Sequence, residues 1–168
     1  MLVPARVPPH KEAPDLAAAE DRLAMCRLAA KDPVFFVSDA ELRREGPSYT
    51  SDTLVQLKKE NPDSELYLLM GEDMFLTVQD WHRPEILYSL STLCAAPRST
   101  DGLRRLSGHA RALERSGAKT ELCNIEYLPI SSTMVRRAVK TGQSIAGLVP
   151  PEVETYILSR RLYLESEV

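Results

Sequence analysis

Two rhythms of apolar residues divide this chain. Short apolar runs predict strands: Val34-Phe35-Phe36-Val37 a short buried one, Leu66-Tyr67-Leu68-Leu69-Met70 one covered on both faces of a parallel sheet, and Thr92-Leu93-Cys94-Ala95-Ala96 another. A strand-like run from Thr120 to Leu128 adds another, and Met1-Leu2-Val3 reads as the last residues of one more. Between the runs the spacing turns helical. Asp15 is placed to cap a helix over Ala17 to Ala30, with Leu16, Leu23, Cys26 and Ala30 inward. Thr50 or Ser51 caps a helix through Leu54 and Leu57 to about Glu60, where Asn61-Pro62 stops it. A short helix near Met74 to Val78, a turn at Asp80-Trp81-His82 and a helix opened by Pro84 follow. Gly102 to Arg115 is amphipathic, weakened by Gly108, and Pro150-Pro151 begins a last helix through Val153, Ile157 and Leu158.

The stretch with the most chemistry is Ile130-Ser131-Ser132-Thr133-Met134-Val135-Arg136. Pro129 ends the preceding strand, and hydroxyl residues open a helix whose apolar side is Val135, Ala138 and Val139. The first N–H groups of a helix have no intrahelical acceptor, and the dipole is positive there, so this end is a seat for phosphate. Arg136 follows Ser132 by one turn on the same face, long enough to curl toward an anion held at the tip. A plain capped helix with a solvated Arg is the rival reading.

Strands alternating with helices predict an α/β fold, a parallel sheet flanked by helices. Ligands of such sheets bind outside the carboxyl ends of the strands. Pro8-Pro9-His10-Lys11, Gly71-Glu72-Asp73, Arg98 and Ser131 to Arg136 each follow a predicted strand, which makes them candidates for one site. With no repeat or Gly/Ser linker, residues 1–168 read as a single domain. The formal net charge of −3 gives no general basic surface for nucleic acid, so any anion site is local. Cys26, Cys94 and Cys123 stand singly among apolar residues, as in a reducing compartment, and they suit neither a disulfide framework nor a zinc site. No run is long enough to span a membrane and no signal peptide is evident, so a cytoplasmic location is expected.

The motifs together resemble the bacterial nicotinate mononucleotide adenylyltransferases of the nucleotidylyltransferase superfamily. Beside Pro8 to Lys11 and the Ile-Ser-Ser-Thr-x-x-Arg signature at Ile130 to Arg136, these are Glu41-Leu42-Arg43-Arg44, Pro47-Ser48-Tyr49-Thr50, Gly71-Glu72-Asp73, Trp81, Ala96-Pro97-Arg98 and Leu148-Val149-Pro150. The resemblance implies a Rossmann-like, doubly wound fold. It also implies adenylyl transfer from ATP to nicotinate mononucleotide, in NAD biosynthesis, with Mg2+ carried on the ATP phosphates and no dedicated protein ligands for it. Of the residues it implies, His10, Lys11 and Arg136 are catalytic, and His10 and Lys11 also donate to the mononucleotide phosphate. Thr50 and the His82 N–H meet the nicotinate carboxylate, Trp81 stacks on the pyridine ring, Asp73 accepts from ribose hydroxyls, and Gly71 also binds substrate. Ser131, Ser132, Thr133, Arg136 and Arg98 take the ATP phosphates, although Ser99 departs from the family's usual loop after Arg98. Glu41, Arg43 and Arg44 are expected in surface or loop-fixing ion pairs.

In one respect the chain departs from the family pattern. The initial strand, Gly-x-Phe-Asp-Pro-x-His-x-Gly-His loop and helix have no counterpart, which implies an N-terminally truncated domain with little activity as it stands. Two other readings remain beside the main one: another small-molecule nucleotidylyltransferase, such as a phosphopantetheine type, and a catalytically dead nucleotide-binding relative. The sequence leaves the oligomeric state open, a homo-oligomer included.

Overall fold

Residues 1–7, 16–98, 101–125 and 128–164 are described by the computed structural model. Their elements in chain order are helices α1 (Ala19–Ala29), α2 (Ala40–Arg43) and α3 (Thr50–Glu60), strand β1 (Tyr67–Gly71), α4 (Glu72–Phe75), a 3-10 turn (Val78–Asp80), α5 (Pro84–Leu90), β2 (Thr92–Ala96), α6 (Gly102–Arg115), β3 (Lys119–Leu122), α7 (Ser132–Lys140) and α8 (Pro151–Ser159). They fall into two compact units, Tyr49–Pro129 and Met1–Ser48 with Ile130–Val168.

The Tyr49–Pro129 unit is an α/β layer structure. Its three strands run parallel in the order β1-β2-β3, joined by helical crossovers. The register sets Gly71 beside Ala96 and Ala95 beside Leu122. The carboxyl ends of β1 and β2 are therefore level, and the residues after them leave the sheet side by side. Leu93, Cys94 and Ala95 of β2 are all buried, as a central strand covered on both faces requires. They join Leu54, Phe75, Val78, Leu87, Leu106, Ala110 and Leu113 in or against the core of this unit.

The same covering was expected of β1, and this is corrected. Tyr67 and Leu69 are 53% and 75% exposed, while Leu68 and Met70 pack on the core. Only one face of β1 is covered, and successive side chains of a strand point to opposite faces, so an apolar run becomes an alternating one. The run Val34 to Val37 is a second correction. It forms no strand, only a single bridge from Val37 to Leu2, and Phe36 is 66% exposed. The Asp32 side chain accepts the Val34 N–H at 2.9 Å and the Asp32 carbonyl accepts that of Phe35 at 2.9 Å. That turn takes the run out of the extended conformation. β3 is also shorter than expected, ending at Leu122, with one further bond from the Cys123 N–H to the Ala95 carbonyl.

Met1–Ser48 with Ile130–Val168 forms a helical unit around Val135, Ala138, Val139, Ile145, Val153 and Ile157. Helix α1 begins later than expected, with Ala18 at its cap and no side-chain bond there, and Asp15 lies outside the described residues. Its buried Asp21 accepts the Tyr156 hydroxyl at 2.8 Å and lies 3.3 Å from Arg160 Nε, tying α1 to α8. Arg43 pairs with Asp39 at 2.9 Å as an exposed pair should, but Glu41 is buried.

Candidate active site

A glycine stands where β1 hands over to α4. Gly71 has an ordinary extended backbone, but a Cβ on it would stand 3.0 Å from Arg98 Nε and 3.1 Å from Nη2. The guanidinium of Arg98, one residue past Pro97 at the end of β2, therefore lies directly over Gly71. Its Nη1 donates to Asp73 Oδ2 at 3.2 Å. Three residues singled out in the sequence, Gly71, Asp73 and Arg98, are thus brought together by strand register. Asp73 does not cap α4: Gly71 occupies the cap position and no side chain bonds there. Among the described residues Asp73 Oδ1 has no hydrogen-bond donor and is open to one. Asp73 and Arg98 are 70% and 56% exposed, so both face solvent and a ligand can reach them.

Thr50, Trp81 and His82 belong to the same unit. The Tyr49 and His82 rings stack, with centroids 4.0 Å apart and planes at 25°, which holds the end preceding α3 against the turn preceding α5. Trp81 is half-buried and packs against the core, so it is partly a structural residue. The expected capping of α3 by Thr50 or Ser51 is corrected. The helix begins one residue earlier, Tyr49 is the cap residue, and no side chain bonds there. Thr50 is therefore the first helical residue, and capping does not occupy its hydroxyl. The Ser51 hydroxyl is fully buried with no hydrogen-bond partner among the described residues. Arg83, next to His82, sits in the left-handed region at φ 53°, where only the surrounding packing holds a non-glycine residue.

In the other unit the start of α7 has the anticipated form. Ser131 is extended and its hydroxyl accepts the Met134 N–H at 3.2 Å. The first intrahelical bond runs from the Val135 N–H to the Ser131 carbonyl at 3.2 Å. The N–H groups of Ser132 and Thr133 come before both, and these are the groups a helix end offers an anion. Arg136 bends back along the helix, its Nη2 donating to Thr133 Oγ1 at 3.4 Å. Its charge also reaches Tyr163, whose hydroxyl burial pushes above the ordinary tyrosine value while the charges of Arg136 and Arg22 pull it back. Val135, Ala138 and Val139 are buried on the opposite side.

His10 and Lys11 lie outside the described residues. The chain leading to them is anchored, since the Arg6 N–H donates to the buried Ser48 hydroxyl at 2.8 Å and the Ser48 N–H to the Val7 carbonyl at 3.0 Å. Among the described residues no three His, Cys, Asp or Glu side chains gather as a metal cage. Burial pushes the Cys26 and Cys94 thiols up, which leaves them poor nucleophiles. No helix among the described residues is long and apolar enough to cross a membrane.

Two residues of the site escaped the sequence reading. Glu72 stands in the Gly71-Glu72-Asp73 motif with no role of its own, yet it is buried and accepts the Arg98 backbone N–H. The available signal was an acid at the end of a wholly apolar strand with Arg104-Arg105 later in the chain. Tyr49 stands in the Pro47-Ser48-Tyr49-Thr50 motif with no role of its own, and its contact with His82 leaves no periodic trace.

The cytidylyltransferase-like family matches residues 1–138. A relative from Lachnoclostridium phytofermentans, named a probable nicotinate-nucleotide adenylyltransferase, is 38% identical over 166 residues, covering 98% of this chain and 83% of its own. One of the same name from a Synechococcus strain is 40% identical over 170 residues, covering 98% and 80%. Among solved structures, nicotinic acid mononucleotide adenylyltransferase from Plasmodium falciparum, complexed with NaAD, superposes with a TM-score of 0.72 over 96% of this chain and 80% of that one. At 21% identity that likeness is one of fold. The same protein complexed with APC gives 0.68 at 19% identity. By its match along residues 1–138 and its near full-length kinship with these relatives, the chain belongs to the cytidylyltransferase-like family, among its nicotinate-nucleotide adenylyltransferases.

Proposed function

We propose that this chain carries out adenylyl transfer: nicotinate mononucleotide and ATP give nicotinate adenine dinucleotide and pyrophosphate, in NAD biosynthesis. The observation that carries the reading is the 38% identity to a relative of that name across 98% of the chain. The family match over residues 1–138 runs through both compact units, which supports reading the chain as one nucleotidylyltransferase domain. A phosphate oxygen of the mononucleotide attacks the α-phosphorus of ATP in line. The new P–O bond forms as the bond to the bridging oxygen breaks, and the electron pair leaves on pyrophosphate. The protein supplies no nucleophile. Its work is to align two anions and to neutralise charge growing on the leaving group.

The side chains are assigned accordingly. Arg136 and the N–H groups of Ser132 and Thr133, with Ser131 shaping the helix end, face the triphosphate. Arg98, seated over Gly71, is likewise assigned to nucleotide phosphates. Asp73 accepts from ribose hydroxyls through Oδ1, since Oδ2 holds Arg98. Thr50 and the His82 N–H take the nicotinate carboxylate, Trp81 lends an indole face to the pyridine ring, and His10 and Lys11 bind the mononucleotide phosphate. Mg2+, bound on the ATP phosphates, supplies further neutralisation of charge. The three free cysteines suit a reducing, cytoplasmic setting.

Trp81 is the single tryptophan, so its fluorescence reports this pocket without ambiguity. Titration with nicotinate mononucleotide is expected to quench it, and phosphopantetheine is expected to leave it unchanged. In a pyrophosphate-release assay, any turnover should require nicotinate mononucleotide together with ATP. Quenching or turnover that prefers phosphopantetheine overturns the reading.

A further inference from the structure

A buried carboxylate stands behind Arg98. The Glu72 side chain is only 3% exposed. Its Oε2 accepts the Arg98 backbone N–H at 2.8 Å, and its Oε1 lies 3.0 Å from Arg105 Nη1, an ion pair outside hydrogen-bond alignment. Room for it is made by Gly102, the first residue of α6, where a Cβ would come 2.5 Å from Glu72 Oε2 and 2.9 Å from the Pro97 Cβ. Three elements therefore converge on one acid: α4 carries it, the end of β2 donates to it, and α6 yields space and a cation.

A charge taken out of water is costly unless it is paired and hydrogen-bonded. The core beside Glu72 is otherwise apolar, with Phe75 and Leu106 both fully buried. What the carboxylate accomplishes is local. It fixes the main chain at Arg98, and from that point the guanidinium is laid over Gly71 and onto Asp73. A long exposed Arg loses rotamer freedom when it binds an anion, and less of that cost falls on binding when its backbone and stem are already set.

We infer that Glu72 is a positioning residue for ATP, holding Arg98 in place to meet the nucleotide phosphates. This rests on the adenylyltransferase reading and deepens it. Glu72 touches no substrate and acts through Arg98. Calorimetric ATP binding and Trp81-monitored binding of nicotinate mononucleotide are to be measured for the native chain, for Glu72→Ala, Glu72→Gln and Arg98→Ala, and for the Glu72→Ala/Arg98→Ala double variant. Glu72→Ala is expected to raise the Kd for ATP about tenfold, while mononucleotide binding stays within twofold of native. Glu72→Gln keeps an acceptor for the Arg98 N–H and is expected to restore most of the affinity. It is the variant to interpret if Glu72→Ala fails to fold. Glu72→Ala should add nothing once Arg98 is alanine, a non-additivity that general loosening would not produce. The inference fails if the two losses add in full, if both ligands weaken together, or if both Glu72 variants bind ATP as the native chain does. A native chain that binds neither ligand overturns the adenylyltransferase reading and this inference with it, whereas native binding of both with unaltered Glu72 variants overturns the inference alone.

Discussion

Arg136 and Arg98 are both cations held short of full freedom by a neighbour, Thr133 in one case and Asp73 in the other. Each partner is weak enough to yield to a phosphate, since exposed pairs contribute little. Removing the fork at position 136 should therefore cost binding more than folding. Arg136→Ala is expected to weaken ATP binding about ten- to hundredfold, the worth of a charged hydrogen bond. Arg136→Lys should recover only part of it, because an ammonium cannot grip two oxygens in the plane of the guanidinium. Calorimetric titration with ATP checks both, and equal binding by Arg136→Ala and the native chain refutes the assignment.

Among the elements, α6 and α7 show what local pattern does well. Helix α7 keeps its apolar side, its serine cap and its exposed first turn as its residues dictate. Helix α6 buries Leu106, Ala110 and Leu113 on one side, and its Gly108 is exposed with nothing near the place of a Cβ. That glycine loosens the helix without serving any contact. Gly108→Ala is expected to stabilise the protein by about 0.5–1 kcal/mol, read as a higher urea midpoint with an unchanged slope. Gly102 in the same helix is different, because Glu72 and Pro97 fill the space beside it. A destabilised Gly108→Ala would mean that the open side of α6 is not open.

For the molecule as a whole, α1 and α8 are joined by the Asp21–Tyr156 hydrogen bond, and this sets a pH dependence. The bond to Asp21 is the largest cause holding the Tyr156 hydroxyl above its ordinary value of 10.0, with burial and the Asp21 charge adding to it. The folded value exceeds the unfolded one, so the stabilisation is complete below about pH 10 and is lost as pH rises through the folded value. Burial raises Tyr88 and Tyr163 in the same sense. Stability should therefore fall on the alkaline side, and Tyr156→Phe should flatten part of that fall. Urea unfolding at a series of pH values from about 8 to 11 measures it. An identical alkaline slope in Tyr156→Phe would remove the bond as its cause.

The residues alone determined the order of elements, the serine-capped start of α7, the place of Gly71 and Asp73 after β1, and the family. All of these depend on neighbours along the chain, where periodicity and capping act. Tertiary structure decided the rest. Leu68 and Leu69 are the same residue type side by side, yet one packs on the core and the other is exposed, because β1 has only one covered face. Thr50 escaped its role as a cap because the helix started one residue sooner. Glu72 became an internal acid because parallel register set Gly71 beside Ala96 and so delivered the Arg98 N–H to it. Burial and pairing are properties of neighbours in space, and a linear pattern carries no record of which strand will lie alongside.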